Sequence, residues 1–220
     1  MFSGVPDIEN LKRLLSDIRN KLTSEIESIS YNDLKAMNFL FLQANLNCRS
    51  GPLLRMTCND FEDLKKKRTV STVQHKTGTK YKVRIQISAA QIPWIEHMIN
   101  KFKELSDVSQ TLVFGSFHNT QETGMPAKID SMIKRHFPWA AVWKFNANSI
   151  RKFWDSYMST VNDIQENIVN AHYTQTGHTK ETAKQHYVAE TGEVGFHQLT
   201  DFYNDVLTKD CNSRRRNRKN

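Results

Sequence analysis

Between Gln175 and Val188 the chain reads QTGHTKETAKQHYV. A Gly-His pair, Gly177 and His178, is followed nine residues after the histidine by Tyr187. Two readings fit this spacing. In one, a polar surface helix happens to carry a tyrosine. In the other, Tyr187 is a nucleophile and His178 lines the same pocket. Upstream stand further residues suited to phosphate chemistry: Arg49 in NCRSGPLLRM, Lys76 in HKTG and Arg151 in NSIRKF. A guanidinium suits a phosphate because its donors form a planar fork and it stays charged at any working pH. Singly, each residue has an ordinary explanation. Arg49 and Arg151 fit ion pairs, Lys76 is one lysine among several, and His178 fits a helix start. Tyr187 competes with Tyr173 and Tyr203, and only its spacing from Gly177 and His178 sets it apart.

The charge pattern points to an acidic partner. The 220-residue chain has a net charge of +8 and a pI near 9.4. The last ten residues, CNSRRRNRKN, take five of the eight excess charges and leave three for the body. A second basic block runs from Phe61 to Ser88, with eight Lys or Arg against Glu62 and Asp63. Such a block favours nucleic acid over a strand pair merely kept soluble by lysines. There is no run of about 18 apolar residues, so no membrane span is expected. The three cysteines, Cys48, Cys58 and Cys211, are widely spaced and odd in number. They suit a reducing, intracellular compartment and make neither a disulfide framework nor a zinc set. No phosphate-binding loop or metal-ligand spacing is visible, so no cofactor and no metal is expected.

The elements that must position these residues are mostly helical. Ile8, Leu11, Leu14, Leu15, Ile18, Leu22 and Ile26 recur at helical spacing. Ser30 or Asn32 can cap a second helix, YNDLKAMNFLFLQANLN, which Gly51 and Pro52 are expected to stop. LLRMTCNDFEDL then reads as a short turn with an apolar patch. TVSTVQHKTGTKYKVRIQIS alternates apolar and polar residues around KTGTK and predicts a β-hairpin with its tip near Gly78. SAAQIPWIEHMINKFKEL predicts a helix starting at Ser88 or Ala89, and LVFGSFHNTQETG a loop with a short extended piece. MPAKIDSMIKRHF and NANSIRKFWDSYMSTV predict two more helices. The second has an apolar face of Ile150, Phe153, Trp154, Tyr157 and Met158, and helical character is expected to continue through DIQENIVNAHY. A helix capped by Thr179 precedes a last one, GFHQLTDFYNDVL. Trp94, Trp139, Trp143 and Trp154 are expected in the core. The expectation is one mainly α domain over residues 1–210 with a small antiparallel β-sheet (α+β), then a basic, disordered tail over 211–220.

In this order and in these local frames, the residues resemble the tyrosine recombinase family, the phage integrase-like enzymes that break and rejoin DNA. The resemblance spans roughly Ser30 to Ala189. NCRSGPLLRMTCNDF resembles the family's first arginine box, HKTG its catalytic lysine site, NANSIRKF its His-x-x-Arg box, and TGHTKETAKQHY its Gly-His box followed by the nucleophilic tyrosine. Asn148 stands where the family has histidine. Asn can hydrogen-bond but cannot take a proton, and the related type IB topoisomerases also lack histidine there. Pro52 stands where many members have Glu, a mainly structural position.

The resemblance implies a catalytic set of Arg49, Lys76, Asn148, Arg151, His178 and Tyr187. Tyr187 would attack the phosphodiester and form a 3′-phosphotyrosyl bond. Lys76 would protonate the leaving 5′-oxygen as general acid, while Arg49, Arg151 and His178 stabilise the phosphate. Lys65, Lys66, Lys67, Arg68, His75, Lys80, Lys82 and Arg84 would contact DNA. Double-stranded DNA is the implied partner, with a homo-tetramer on two duplexes in which the segment after Tyr187 contacts a neighbour. A nuclear location follows if the source is eukaryotic or a virus of a eukaryotic host. Full recombinases carry a helical clamp domain ahead of the first arginine box, and Arg49 comes too early to leave room for one. Two alternatives stay open: a type IB-like topoisomerase, and a DNA-binding protein on the same fold without catalysis.

Overall fold

The computed structural model describes residues 7–72, 83–107, 109–118, 120–160, 164–176 and 193–208. These residues are mainly helical. In chain order they form α1 (Ile8–Ser24), a 3₁₀ turn (Ile26–Ser28), α2 (Tyr31–Leu46), α3 (Ser50–Leu54) and α4 (Cys58–Lys67). Strands β1 (Thr69–Thr72) and β2 (Val83–Gln86) follow, then α5 (Gln91–Leu105), α6 (Met125–His136) and a second 3₁₀ turn (Pro138–Ala140). The last three helices are α7 (Ala147–Thr160), α8 (Glu166–Thr176) and α9 (Glu193–Thr208).

The centre of the molecule is α2. Nearly all of its residues are buried, and it packs against α1, α3, α5, α6, α7 and α9. A helix buried all round has no solvent-facing stripe, so the polar residues it carries, Asp33, Lys35, Asn38, Gln43 and Asn45, are buried with the apolar ones. Its start is fixed by Ser30, whose hydroxyl accepts the Asp33 backbone N–H. By contrast α1 is amphipathic: Leu11, Leu14, Leu15, Ile18 and Leu22 are buried, and polar residues cover the rest. Each such side chain taken out of water stabilises the fold by about 1.5–3 kcal/mol. Strands β1 and β2 pair antiparallel, from Thr69 opposite Gln86 to Thr72 opposite Val83. The hairpin tip expected near Gly78 lies outside the described residues. Among the described residues, no helix is long and apolar enough to cross a membrane.

Several sequence expectations are corrected. Helix α2 ends at Leu46, before Gly51 and Pro52, because Asn47 takes the left-handed conformation, with φ of 46°. Gly51 and Pro52 instead sit in the first turn of α3. Proline is tolerated there because the N–H it lacks would have no helical partner. The segment read as a turn, LLRMTCNDFEDL, contains the end of α3 and most of α4. Thr57 caps α4 in a reciprocal box with Asp60: the Thr57 hydroxyl accepts the Asp60 N–H at 3.0 Å, and Asp60 accepts the Thr57 N–H at 2.8 Å. The fifth helix begins at Gln91, later than Ser88 or Ala89, and the Gln91 side chain accepts the Ser88 N–H at 2.7 Å. Trp94 and Trp154 are buried, whereas Trp139 and Trp143 are only partly so. Trp139 carries the Arg13 guanidinium 4.0 Å above its ring and donates to Asp17 at 3.2 Å, so it works at the surface.

Candidate functional site

Arg49 and Arg151, 102 positions apart in the chain, are brought close enough for their charges to repel. Burial is the main influence that lowers the Arg151 pKa from its ordinary value, and the positive charge of Arg49 lowers it further. Both side chains are half-buried. Their approach follows from local structure on two helices. The left-handed turn at Asn47 reverses the chain at the end of α2, and the Gln43 amide then donates to the Cys48 carbonyl. Cys48 is fully buried there, which leaves Arg49 as the residue that begins α3. The Cys48 thiol is pushed up to about 12 by burial, so it remains a neutral neighbour near pH 7.

On the other side, α7 is started by Asn146. Its side-chain oxygen accepts the N–H of Asn148 at 3.0 Å and of Ser149 at 3.1 Å, while the Ser149 hydroxyl accepts the Asn146 N–H at 2.9 Å. Trp154, fully buried, donates from Nε1 to the Ala44 carbonyl in the last turn of α2, at 2.9 Å. That bond satisfies a carbonyl at a helix end and sets the height of α7 against α2. Arg151 lies three positions before Trp154, beside the link that carries Arg49. Asn148 is exposed in the first turn of α7, three positions before Arg151 and so on the same side of the helix.

A polar chain runs inward from Asp155. Asp155, one turn later on α7, opposes the depression of the Arg151 pKa. Asp155 Oδ1 lies 3.0 Å from Nε2 of His172 on α8, a fully buried residue. His172 Nδ1 lies 2.5 Å from the hydroxyl of Tyr203 on α9, also buried. Burial drives the Tyr203 pKa well above its ordinary value despite an opposing effect of the Asn47 amide. The phenol therefore keeps its proton, and because the Asp155 carboxylate can only accept, the Nε2 facing it is the donor of that bond. Sequence reasoning missed Asp155, His172 and Asn146. Two signals were present: the Arg-x-x-x-Asp spacing of a helical ion pair, and Asn-x-x-Ser as a helix start.

Lys76, His178 and Tyr187 lie outside the described residues, as do His75, Lys80 and Lys82. The described residues that flank them are tied together. Gln175, two positions before Gly177, is buried on α8 and treats β2 as a neighbouring strand would. It accepts the Arg84 N–H at 3.3 Å and donates to the Arg84 carbonyl at 2.7 Å. Strand β2 leads back toward the HKTG segment, so α8 and the hairpin are joined at this point.

The basic block is less positive locally than its count suggests. Lys65 pairs with Glu62 at 2.7 Å and with Glu96 at 3.1 Å, and these carboxylates raise its pKa. Lys67 is 3.9 Å from Asp63. Lys66 and Arg68 are exposed, and Arg68 ends α4 in the left-handed conformation, with φ of 62°. Arg84 is half-buried on β2. Among the described residues, no group of three or more His, Cys, Asp or Glu is placed to hold a metal ion.

Arg49 and Arg151 are thus two half-buried like charges within electrostatic reach of each other. An anion bridging two guanidiniums would relieve the repulsion and accept two planar forks of donors. Comparison of the chain with protein-family models, curated proteins and solved structures finds no match.

Proposed function

We propose that the chain breaks and rejoins DNA as a tyrosine recombinase. What supports this most directly is that Arg49 and Arg151, far apart in sequence, lie within electrostatic reach of each other, as the resemblance requires of them. In this reading the two guanidiniums hold the non-bridging oxygens of one phosphodiester. Donors fixed in advance on developing charge contribute about 3–4 kcal/mol each. Tyr187 attacks phosphorus, the P–O5′ bond breaks, and a 3′-phosphotyrosyl bond forms. The tyrosine proton leaves with help from the nearby cations and His178. Lys76 gives its proton to the departing 5′-oxygen. The covalent bond conserves the phosphodiester energy, so the same steps reversed rejoin the strand. Double-stranded DNA is the partner, four copies on two duplexes are the working assembly, and the setting is DNA-associated and intracellular.

The test uses a radiolabelled duplex with a nick placed so that the cleaved end diffuses away, drawn from a pool of sequences. A covalent band on a denaturing gel is expected with the wild type and absent with Tyr187→Phe. Strand exchange in the products identifies a recombinase. Relaxation of supercoils without exchange identifies the topoisomerase reading, which Asn148 in place of a histidine favours. Measurable DNA binding with no band on any duplex would refute catalysis and leave a DNA-binding protein.

A further inference from the structure

We infer that the groove between α1 and α9 is a second nucleic-acid site, which holds the phosphate backbone of double-stranded DNA apart from the phosphate at Arg49 and Arg151. The inference holds whether or not the chain cuts DNA. The groove has a volume of about 300 Å³. Lys12, Arg13 and Arg19 on α1 line it against one acid, Glu9. Leu15, Phe41 and Leu207, all buried, give it apolar walls. A cleft with one dominant sign of charge and low-dielectric walls concentrates the field on a ligand of the opposite sign.

Two of the cations are held by aromatic rings. The Arg13 guanidinium lies 4.0 Å from the centre of the Trp139 ring, and Trp139 is itself tied to Asp17. The Arg19 guanidinium lies 5.8 Å from the centre of the Phe41 ring. A ring engages the face of a guanidinium and leaves the N–H donors, which lie in its plane, for an anion. Among the described residues, neither arginine has a carboxylate within ion-pair distance. Asn45 on α2 adds an independent sign. It is 9 % exposed and lines the groove, and among the described residues its side chain makes no hydrogen bond. A buried amide left unpaired costs stability, and a ligand in the groove supplies its partner.

The lining and the sequence beyond it select the occupant. Besides Glu9, the polar lining is Lys, Arg, Ser, Asn and Thr, the side chains that bind phosphate and sugar oxygens. Thr208, the last residue of α9, is among them. The twelve residues that follow it, KDCNSRRRNRKN, hold six Lys or Arg against one Asp. A basic segment does not neutralise a basic groove, so the two serve one acidic partner. A duplex, with a phosphate charge about every 1.7 Å along its axis, is long enough to serve both. Asn45 also stands beside Ala44, which accepts the bond from Trp154 on α7, and four positions before Arg49. Groove and arginine pair are thus at the same end of α2, where one duplex can reach them together.

The test compares two double variants of the full chain that remove the same charge. Arg13→Gln with Arg19→Gln empties the groove of its arginines. Lys21→Gln with Lys103→Gln removes two cations that do not line it. The probe is a labelled mixed-sequence duplex of about 30 base pairs, titrated by anisotropy over a series of salt concentrations. The groove variant should lower the slope of log affinity against log salt by about two, the value for two lost phosphate contacts. The control variant should leave the slope nearly unchanged. Ser16→Glu, at an exposed position on the groove, should weaken duplex binding by about tenfold through like-charge repulsion. Thermal unfolding checks that each variant is folded.

Equal slopes for the groove and control variants would overturn the inference. So would a groove variant that loses binding to polyglutamate but keeps its duplex affinity and slope, since the occupant would then be an acidic protein. If the arginine variant fails to fold because Trp139 loses its partner, Ser16→Glu decides, and duplex affinity within twofold of wild type overturns the inference. A wild type that binds the duplex with the expected slopes but forms no covalent complex defeats the recombinase reading and leaves the groove standing. A wild type that does not bind duplex DNA defeats both.

Discussion

Replacing Glu122 by alanine strands an ammonium inside the protein. Lys35 lies on α2 with its side chain 1 % exposed, and its Nζ donates to Glu122 at 2.9 Å and to the Gly115 carbonyl at 2.8 Å. The Tyr31 ring is 5.0 Å from the same nitrogen. Without Glu122, one carbonyl and a ring face remain. Removing one partner of a buried pair costs about 3–5 kcal/mol, because the other charge is left uncompensated. The opposite change, Lys35→Met, should cost less, about 2 kcal/mol, because Glu122 keeps other support. It accepts the Gly124 N–H at 2.9 Å, lies 3.6 Å from Lys128 and is 10 % exposed. The pH dependence carries the sharper test. Burial is the largest influence on Lys35 and lowers its pKa, while Glu122 opposes it. Glu122→Ala removes the opposition and lowers the value further. A lysine whose folded pKa lies below its unfolded value, about 10.4, binds fewer protons folded than unfolded in the interval between. Stability of Glu122→Ala should therefore rise with pH through that interval, more steeply than in the wild type. Urea unfolding at pH 7, 8, 9 and 10 measures it. A smaller cost for Glu122→Ala than for Lys35→Met, or a variant whose stability falls from pH 7 to pH 9, would refute the reasoning.

Asp33 gives the acid counterpart. Burial raises its pKa, but hydrogen bonds from His136, Ser30 and Arg135 outweigh this and hold the carboxyl below its ordinary value. Its contribution is present above the unfolded value of about 3.9 and is lost as pH falls through the folded value. Asp33→Asn should cost about 2 kcal/mol at pH 7 and flatten the loss of stability in acid, as read by urea unfolding at pH 3 and pH 7. In DNA binding, Lys66→Ala should reduce the slope of log affinity against log salt by about one, as for a lost phosphate contact. Lys65→Ala should leave the slope nearly unchanged, because Lys65 is engaged by Glu62 and Glu96. Titrations at several salt concentrations distinguish the two.

The elements that were legible in the sequence are those whose signal is local. The apolar stripe of α1, the Ser30 start of α2 and the alternation around the hairpin each depend on residues a few positions apart, and each is found where expected. The differences between Leu46 and Lys67 have two causes. Gly51 and Pro52 break a helix only in its interior, and here they fall in a first turn, where proline costs nothing. Thr57 and Asp60 carried the capping signal for α4, and the apolar residues around them hid it. Trp139 shows the same limit for burial. Helical spacing says that a tryptophan faces a neighbour, but not that the neighbour is an arginine at the surface.

The site was legible only as a set of residue types. Nothing local says that Arg49 comes within electrostatic reach of Arg151. The left-handed turn at Asn47 aims Arg49, and the bond from Trp154 to Ala44 sets the height of α7 that carries Arg151. Periodicity read Trp154 correctly as core, but the one polar atom of that side chain decides which turn of α7 faces the end of α2. His172 was invisible for a related reason. Its two partners come from two other helices, and a histidine is defined chemically by what its nitrogens touch. The order of residue types along the chain therefore nominated a phosphate chemistry. His172 links α7 to α9 through Asp155 and Tyr203, and no motif confined to the residues around Arg151 would contain that link.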